Sequence, residues 1–167
     1  STIADNTATR DGGGLFAGTG STLTISNSTI SGNSGRVGGG IQSRAQPATL
    51  TTLTLSENSS VDGAGGLNNE GTATLTRSTL HANTGANGGG IVNVGTLSIV
   101  NSTVSGNTAT GNGGGVSNSE TLEMTNVTIA ENNALFGSAL DNDGPSTLKN
   151  VILDRGPNGS ACRGEFS

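Results

Sequence analysis

Aromatic side chains are nearly missing from this chain: it has no Trp, no Tyr and only three Phe in 167 residues. That scarcity argues against a carbohydrate cleft floored by stacked rings, because only Phe16, Phe136 and Phe166 could supply a platform. The one cysteine, Cys162, excludes an internal disulfide framework. Charged residues make up 11%, and the net charge of −5 is spread over 12 acidic and 7 basic side chains with no run of either sign. Without a basic stripe, neither nucleic acid nor anionic lipid is an expected partner. No apolar run is long enough to span a bilayer. The sequence opens at Ser1 without a signal peptide, so any targeting segment is expected to have been removed or to lie outside it. Apolar content is low at 30%, yet the low charge and the three prolines do not fit a disordered chain.

Instead there is a repeat. Ser28-Thr29-Ile30-Ser31-Gly32-Asn33 recurs as Ser78-Thr79-Leu80-His81-Ala82-Asn83 and as Ser102-Thr103-Val104-Ser105-Gly106-Asn107. Anchored on the apolar residue, the series is Ile3, Ile30, Leu55, Leu80, Val104, Ile129 and Leu153, with spacings of 27, 25, 25, 24, 25 and 24. A fixed period in this range marks stacked supersecondary units.

Within one unit, Ser28-Thr29-Ile30-Ser31 alternates as a short strand, Ile41-Gln42-Ser43 reads as a second and Ala48-Thr49-Leu50 as a third. Turns of variable length join them. Abundant Thr, Ser and Asn around regular apolar positions fit a thin core wrapped in hydrogen-bonded backbone. The expected fold is all-β: a right-handed single-stranded parallel β-helix of about six to seven coils of ~25 residues, with three short strands per coil. Stacking at ~4.8 Å per coil gives a column on the order of 30 Å long. Residues 1–154 carry the coils. Residues 155–167 leave the repeat and form a partial cap or the start of a further coil.

The period also filters the candidate sites, because a residue seen once per coil belongs first to the scaffold. Asn6, Asn33, Asn58, Asn83, Asn107 and Asn132 are expected to form an internal ladder in which stacked amides bond one another. Asn93, Asn118 and Asn142 are placed to form a second. The Gly triplets Gly12–Gly14, Gly38–Gly40, Gly88–Gly90 and Gly113–Gly115 precede strands and lack a following Lys-Ser/Thr, so they read as turns and not as phosphate-cradling loops. Outward-facing Thr29, Thr54, Thr79, Thr103 and Thr128, begun by Thr2, form a flat rank of the kind seen on ice-binding solenoids. Beside them a second rank includes His81 and Ala130, and a third (Thr24, Thr49, Thr74, Ser98) is interrupted by Glu123.

Catalytic groups are sparse. Asp5, Glu57 and Glu131 share a turn position but sit in coils one, three and six, too far apart to act as the paired carboxylates of a glycosidase. Glu120, Asp141 and Asp143 form the one local acidic cluster, and His81 is the single histidine. No catalytic, cofactor-binding or metal-ligating set is assigned, so no cofactor and no enzymatic activity are expected. Ice binding through the outward Thr/Ser ranks is one functional alternative, and a carbohydrate-active lyase or hydrolase centred on the acidic cluster is the second.

The repeating [Ser/Thr]-Thr-[Ile/Leu/Val]-x-x-Asn, Gly-Gly-Gly-[Ile/Leu/Val]-x-Asn and Gly-Thr-Leu-x-[Ile/Leu] elements resemble the repeats of bacterial polymorphic outer-membrane proteins and related pectin-lyase-like β-helix proteins. The likeness is carried by Asn93-Val94-Gly95-Thr96-Leu97 and Gly88-Gly89-Gly90-Ile91, and it extends to about Leu153. The usual Phe-x-x-Asn motif of that family is Ile/Leu/Val-x-x-Asn here. The resemblance implies a secreted or surface-anchored bacterial protein whose β-helix serves adhesion or display. Extracellular localisation, a structural or adhesive role, and surface glycans or proteins as partners are therefore expected. Ser1-Thr2-Ile3 already stands in strand register, so contact with flanking coils or further copies through the N-terminal end, extending to filaments, is expected as well.

Overall fold

The computed structural model describes residues 1–164; residues 165–167, and with them Phe166, lie outside that description. Nineteen strands, β1 to β19 along the chain, and no helix occur among the described residues. They stack as a parallel β-solenoid of about seven coils with three walls. The longest wall runs β1 (Thr2–Ala4), β3 (Leu23–Ser31), β6 (Ala48–Ser56), the pair β9 (Thr72–Thr76) and β10 (Thr79–His81), β13 (Thr96–Ser105), β16 (Leu122–Ala130) and β18 (Ser146–Leu153). A second wall runs β2 (Leu15–Ala17), β5 (Ile41–Ser43), β8 (Leu67–Asn69), β12 (Ile91–Asn93), β15 (Val116–Asn118), β17 (Leu140–Asn142) and β19 (Cys162–Gly164). The third is narrow: β4 (Ser34–Gly35), β7 (Ser59–Ser60), β11 (Thr84–Gly85) and β14 (Thr108–Ala109).

The apolar anchors fall into register as the period requires. Ile3 pairs with Ile30, Ile30 with Leu55, Leu55 with Leu80, Leu80 with Val104, Val104 with Ile129 and Ile129 with Leu153. Ile30, Leu55, Leu80, Val104 and Ile129 are fully buried. Further inward columns build the rest of the core, two of them prominent. One joins Ile25, Leu50, Leu75, Ile99, Met124 and Leu148 in successive pairs. The other joins Leu15, Ile41, Leu67, Ile91, Val116, Leu140 and Cys162. Each coil thus lays a few aliphatic side chains on those of its neighbours, and the core exists only because coils are stacked.

The division into strands differs from the sequence expectation in two places. The strands read as third and first are the two legs of one long strand, bent at a single residue. Asn27, Thr52, Arg77, Asn101, Asn126 and Asn150 occupy that bend, all with φ between 49° and 55°. In β13, for example, inward residues at 97 and 99 are followed by inward residues at 102 and 104, so the alternation slips by one across Asn101. Asn tolerates the left-handed region better than most residues, which accounts for four of the six positions. The second difference is the narrow wall, which lies in what reads as loop. Its two-residue strands of Ser, Thr, Gly and Ala carry no apolar alternation to announce them.

The Gly triplets divide their work. Only the first of each has positive φ: 70° at Gly12, 67° at Gly38, 53° at Gly88 and 60° at Gly113. The other two are demanded by close stacking. A Cβ on Gly39 would lie 2.3 Å from the Ser59 carbonyl oxygen, and one on Gly40 would lie 2.7 Å from that of Gly66. The segment after Asp154 leaves the repeat and then rejoins the stack, where β19 pairs in parallel with β17. Cys162 there takes the inward position above Leu140 and packs against the core, and burial pushes its thiol pKa up.

Candidate functional site

Two amide ladders run through the interior. In the first, the Nδ2 of each Asn donates to the Oδ1 of the next: Asn6 to Asn33 at 2.9 Å, Asn33 to Asn58 at 2.9 Å, Asn58 to Asn83 at 3.0 Å, Asn83 to Asn107 at 2.9 Å and Asn107 to Asn132 at 3.0 Å. The same Oδ1 also accepts the backbone N–H of the preceding ladder residue, as in Asn58 N to Asn83 Oδ1 at 3.0 Å. A second Nδ2 bond goes to a strand carbonyl, such as Asn83 to Leu55 at 2.9 Å. Asn33 to Asn132 are fully buried, so this column is spoken for by the fold. It ends where Gly156 stands one coil beyond Asn132, its would-be Cβ driven into the Asn132 carbonyl oxygen.

The second ladder forms as expected and starts one coil earlier, at Asn69. Asn69 donates to Asn93 at 2.8 Å, Asn93 to Asn118 at 2.7 Å and Asn118 to Asn142 at 2.8 Å. Ser43 and Ala17 fill the same position in the first coils.

The Thr rank stands in unbroken register on the second leg of the long wall. Thr2 pairs with Thr29, Thr29 with Thr54, Thr54 with Thr79, Thr79 with Thr103 and Thr103 with Thr128. Beside it lies the rank Ala4, Ser31, Ser56, His81, Ser105 and Ala130, likewise paired coil to coil. Glu123 belongs with Thr24, Thr49, Thr74, Ser98 and Thr147 on the first leg, across the left-handed bend. The two sets of ranks therefore occupy different planes. A second left-handed column (Asp5, Gly32, Glu57, Ala82, Gly106 and Glu131) closes the far side of the Thr plane. It brings the three acids to one edge, with one coil between Asp5 and Glu57 and two between Glu57 and Glu131.

The acidic cluster is not an open carboxylate pair. Asp141 is buried, with 3% of its side chain exposed. Arg163 takes both of its oxygens, Nε to Oδ1 and Nη2 to Oδ2, the latter at 2.8 Å. Asp143 lies 3.9 Å from Arg163 Nη2 and is exposed, and Glu120 is an exposed turn residue whose backbone oxygen accepts Asn118 Nδ2. The guanidinium also sits 5.5 Å from the centroid of the Phe136 ring. Arg163 escapes a repeat-based reading because it lies in the segment where the repeat is lost.

A matching cluster occupies the first coils and was not legible either. Arg44 Nε donates to Glu70 Oε2 at 2.6 Å, Nη2 reaches Asp11 at 3.4 Å, and the guanidinium lies 5.5 Å from the Phe16 centroid. Gln42 Nε2 donates to Glu70 Oε1 at 2.8 Å, leaving the fully buried Gln42 Oε1 without a partner among the described residues. Burial works to raise the Glu70 pKa, but the bonds from Arg44 and Gln42 outweigh it, and the net shift is downward. Both Phe rings of the described chain thus sit under an Arg, in clusters that tie neighbouring coils together.

Among the described residues no group of three or more His, Cys, Asp or Glu is placed to hold a metal. No helix among them is long and apolar enough to cross a membrane. A shallow groove of about 430 Å³ lies where the narrow wall gives out, lined by Thr110, Asn133, Leu135 and Asn158 among others. Comparison with protein-family models, with curated proteins and with solved structures finds no match.

Proposed function

We propose that this chain is a rigid structural and adhesive module of an extracellular bacterial protein, of the polymorphic outer-membrane, pectin-lyase-like kind. The observation that supports this is the consumption of repeated polar groups by the stack itself. Two buried amide ladders and the clamps on Arg44 and Arg163 fasten coil to coil. What remains outside is a long, weakly charged surface rich in Thr and Ser. Such a column holds whatever it carries at a fixed distance and offers its walls for many weak, repeated contacts with surface glycans or proteins.

The test is adhesion by beads coated with the purified chain to mucin, to glycan-coated surfaces and to cells. Beads coated with an unrelated all-β protein of similar charge serve as the reference. Retention above that reference under flow is the expected outcome. Equal retention on every surface would remove the adhesive half of the proposal and leave only the spacer.

A further inference from the structure

The Thr plane has one property that no other part of the surface shares among the described residues. Six successive coils place the same residue at the same point, from Thr2 to Thr128, without a break in register. Ladder spacing fixes the repeat at about 4.8 Å along the column, and alternate residues of one strand set the second rank about 7 Å away. Ala4, Ser31, Ser56, Ser105 and Ala130 keep that second rank low, and only His81 stands above it. Left-handed bends bound the plane on both sides, which leaves Glu123 and Lys149 on the neighbouring leg. Arg77 on one bend and Asp5, Glu57 and Glu131 on the other put the charges at the rims. The amide ladder just inside the second bend holds the strands fixed.

A face with translational periodicity, no pocket and no central charge selects a partner with the same periodicity. A folded protein or a short glycan offers one contact of a given kind at a time, whereas a crystal lattice offers all six at once, with its ordering already complete. The coil repeat is close to the oxygen repeat along the a axis of hexagonal ice, and the Thr rank offers only hydroxyls and methyls. We propose that the plane carrying Thr2, Thr29, Thr54, Thr79, Thr103 and Thr128 is an ice-binding face. It acts by holding water in lattice spacing on a rigid surface. This proposal is independent of the adhesive role.

The test grows single ice crystals in solutions of the purified chain, with thermal hysteresis and recrystallisation read in parallel. Wild type is expected to facet the crystals and arrest recrystallisation. Thr79→Lys, at the centre of the plane, is expected to lose most of the hysteresis, while Thr74→Lys, on the other leg, keeps it. His81→Thr, which completes a low second rank, is expected to raise it. Circular dichroism and a melting curve establish that each variant is folded; should Thr79→Lys fail to fold, the contrast of His81→Thr with wild type carries the test. Round, unfaceted crystals with the wild type at all concentrations overturn the proposal. So does equal loss in both Lys variants, or a wild type that binds crystalline chitin or pairs with itself through this face while leaving ice growth unchanged.

Discussion

Two columns of this protein carry bonded asparagines, one in the interior and one on the outer bend from Asn101 to Asn150, and they differ in burial and in backbone conformation. In the interior column Asn83 donates to Asn107 at 2.9 Å and is fully buried. On the left-handed bend Asn126 donates to Asn101 at 2.9 Å and Asn150 to Asn126 at 3.0 Å, with all three exposed. The hydrogen bonds are equally short. Inside, however, a lost partner cannot be replaced by water, and the orphaned group bears its full desolvation cost. Outside, solvent takes over, and Asn is there chiefly because it accepts φ near 50°. The same amide-to-amide bond thus serves cohesion in one column and accompanies backbone geometry in the other.

That contrast can be broken by mutation. Asn83→Ala removes the acceptor of Asn58 N and Nδ2 and the donor to the Leu55 carbonyl, all buried. It should destabilise the fold by about 3–5 kcal/mol in chemical denaturation, and a loss under 1 kcal/mol would mean the ladder is decorative. Thr52→Asn works in the other direction. Thr52 is a β-branched residue held at φ 55° in the outer column, where Asn costs less, so the substitution should stabilise by about 1 kcal/mol. Asn126→Gly keeps the left-handed bend available and deletes the exposed amide. Its effect should stay within about 0.5 kcal/mol, and a larger loss would show that the outer ladder does hold coils together.

The architecture is largely legible in the sequence, because periodicity is a property of spacing. Ile30, Leu55, Leu80, Val104 and Ile129 fall one per coil, and their pairing follows once the strands are parallel. The Asn ladder is legible for the same reason. The narrow wall was not, since Ser34–Gly35 and its counterparts have no apolar pattern. Nor were the ion clusters. Arg44 meets Glu70 across 26 residues and Arg163 meets Asp141 across 22, in each case once, without a repeat to announce it. The acidic cluster read at Glu120, Asp141 and Asp143 lacked its cation for that reason.

Composition and period by themselves determined a stacked parallel solenoid, the inward columns and the repeated polar residues spent on holding it together. They do so because each coil repeats one solution to a local problem: bury a few aliphatic side chains and satisfy one amide. Tertiary structure alone decided which outward residues share a plane. The bend at Asn27, Thr52, Arg77, Asn101, Asn126 and Asn150 depends on a backbone dihedral that several residue types can adopt when the neighbouring coils enforce it. That bend separates Glu123 from the Thr rank and makes the flat, uncharged face on which the ice-binding proposal stands.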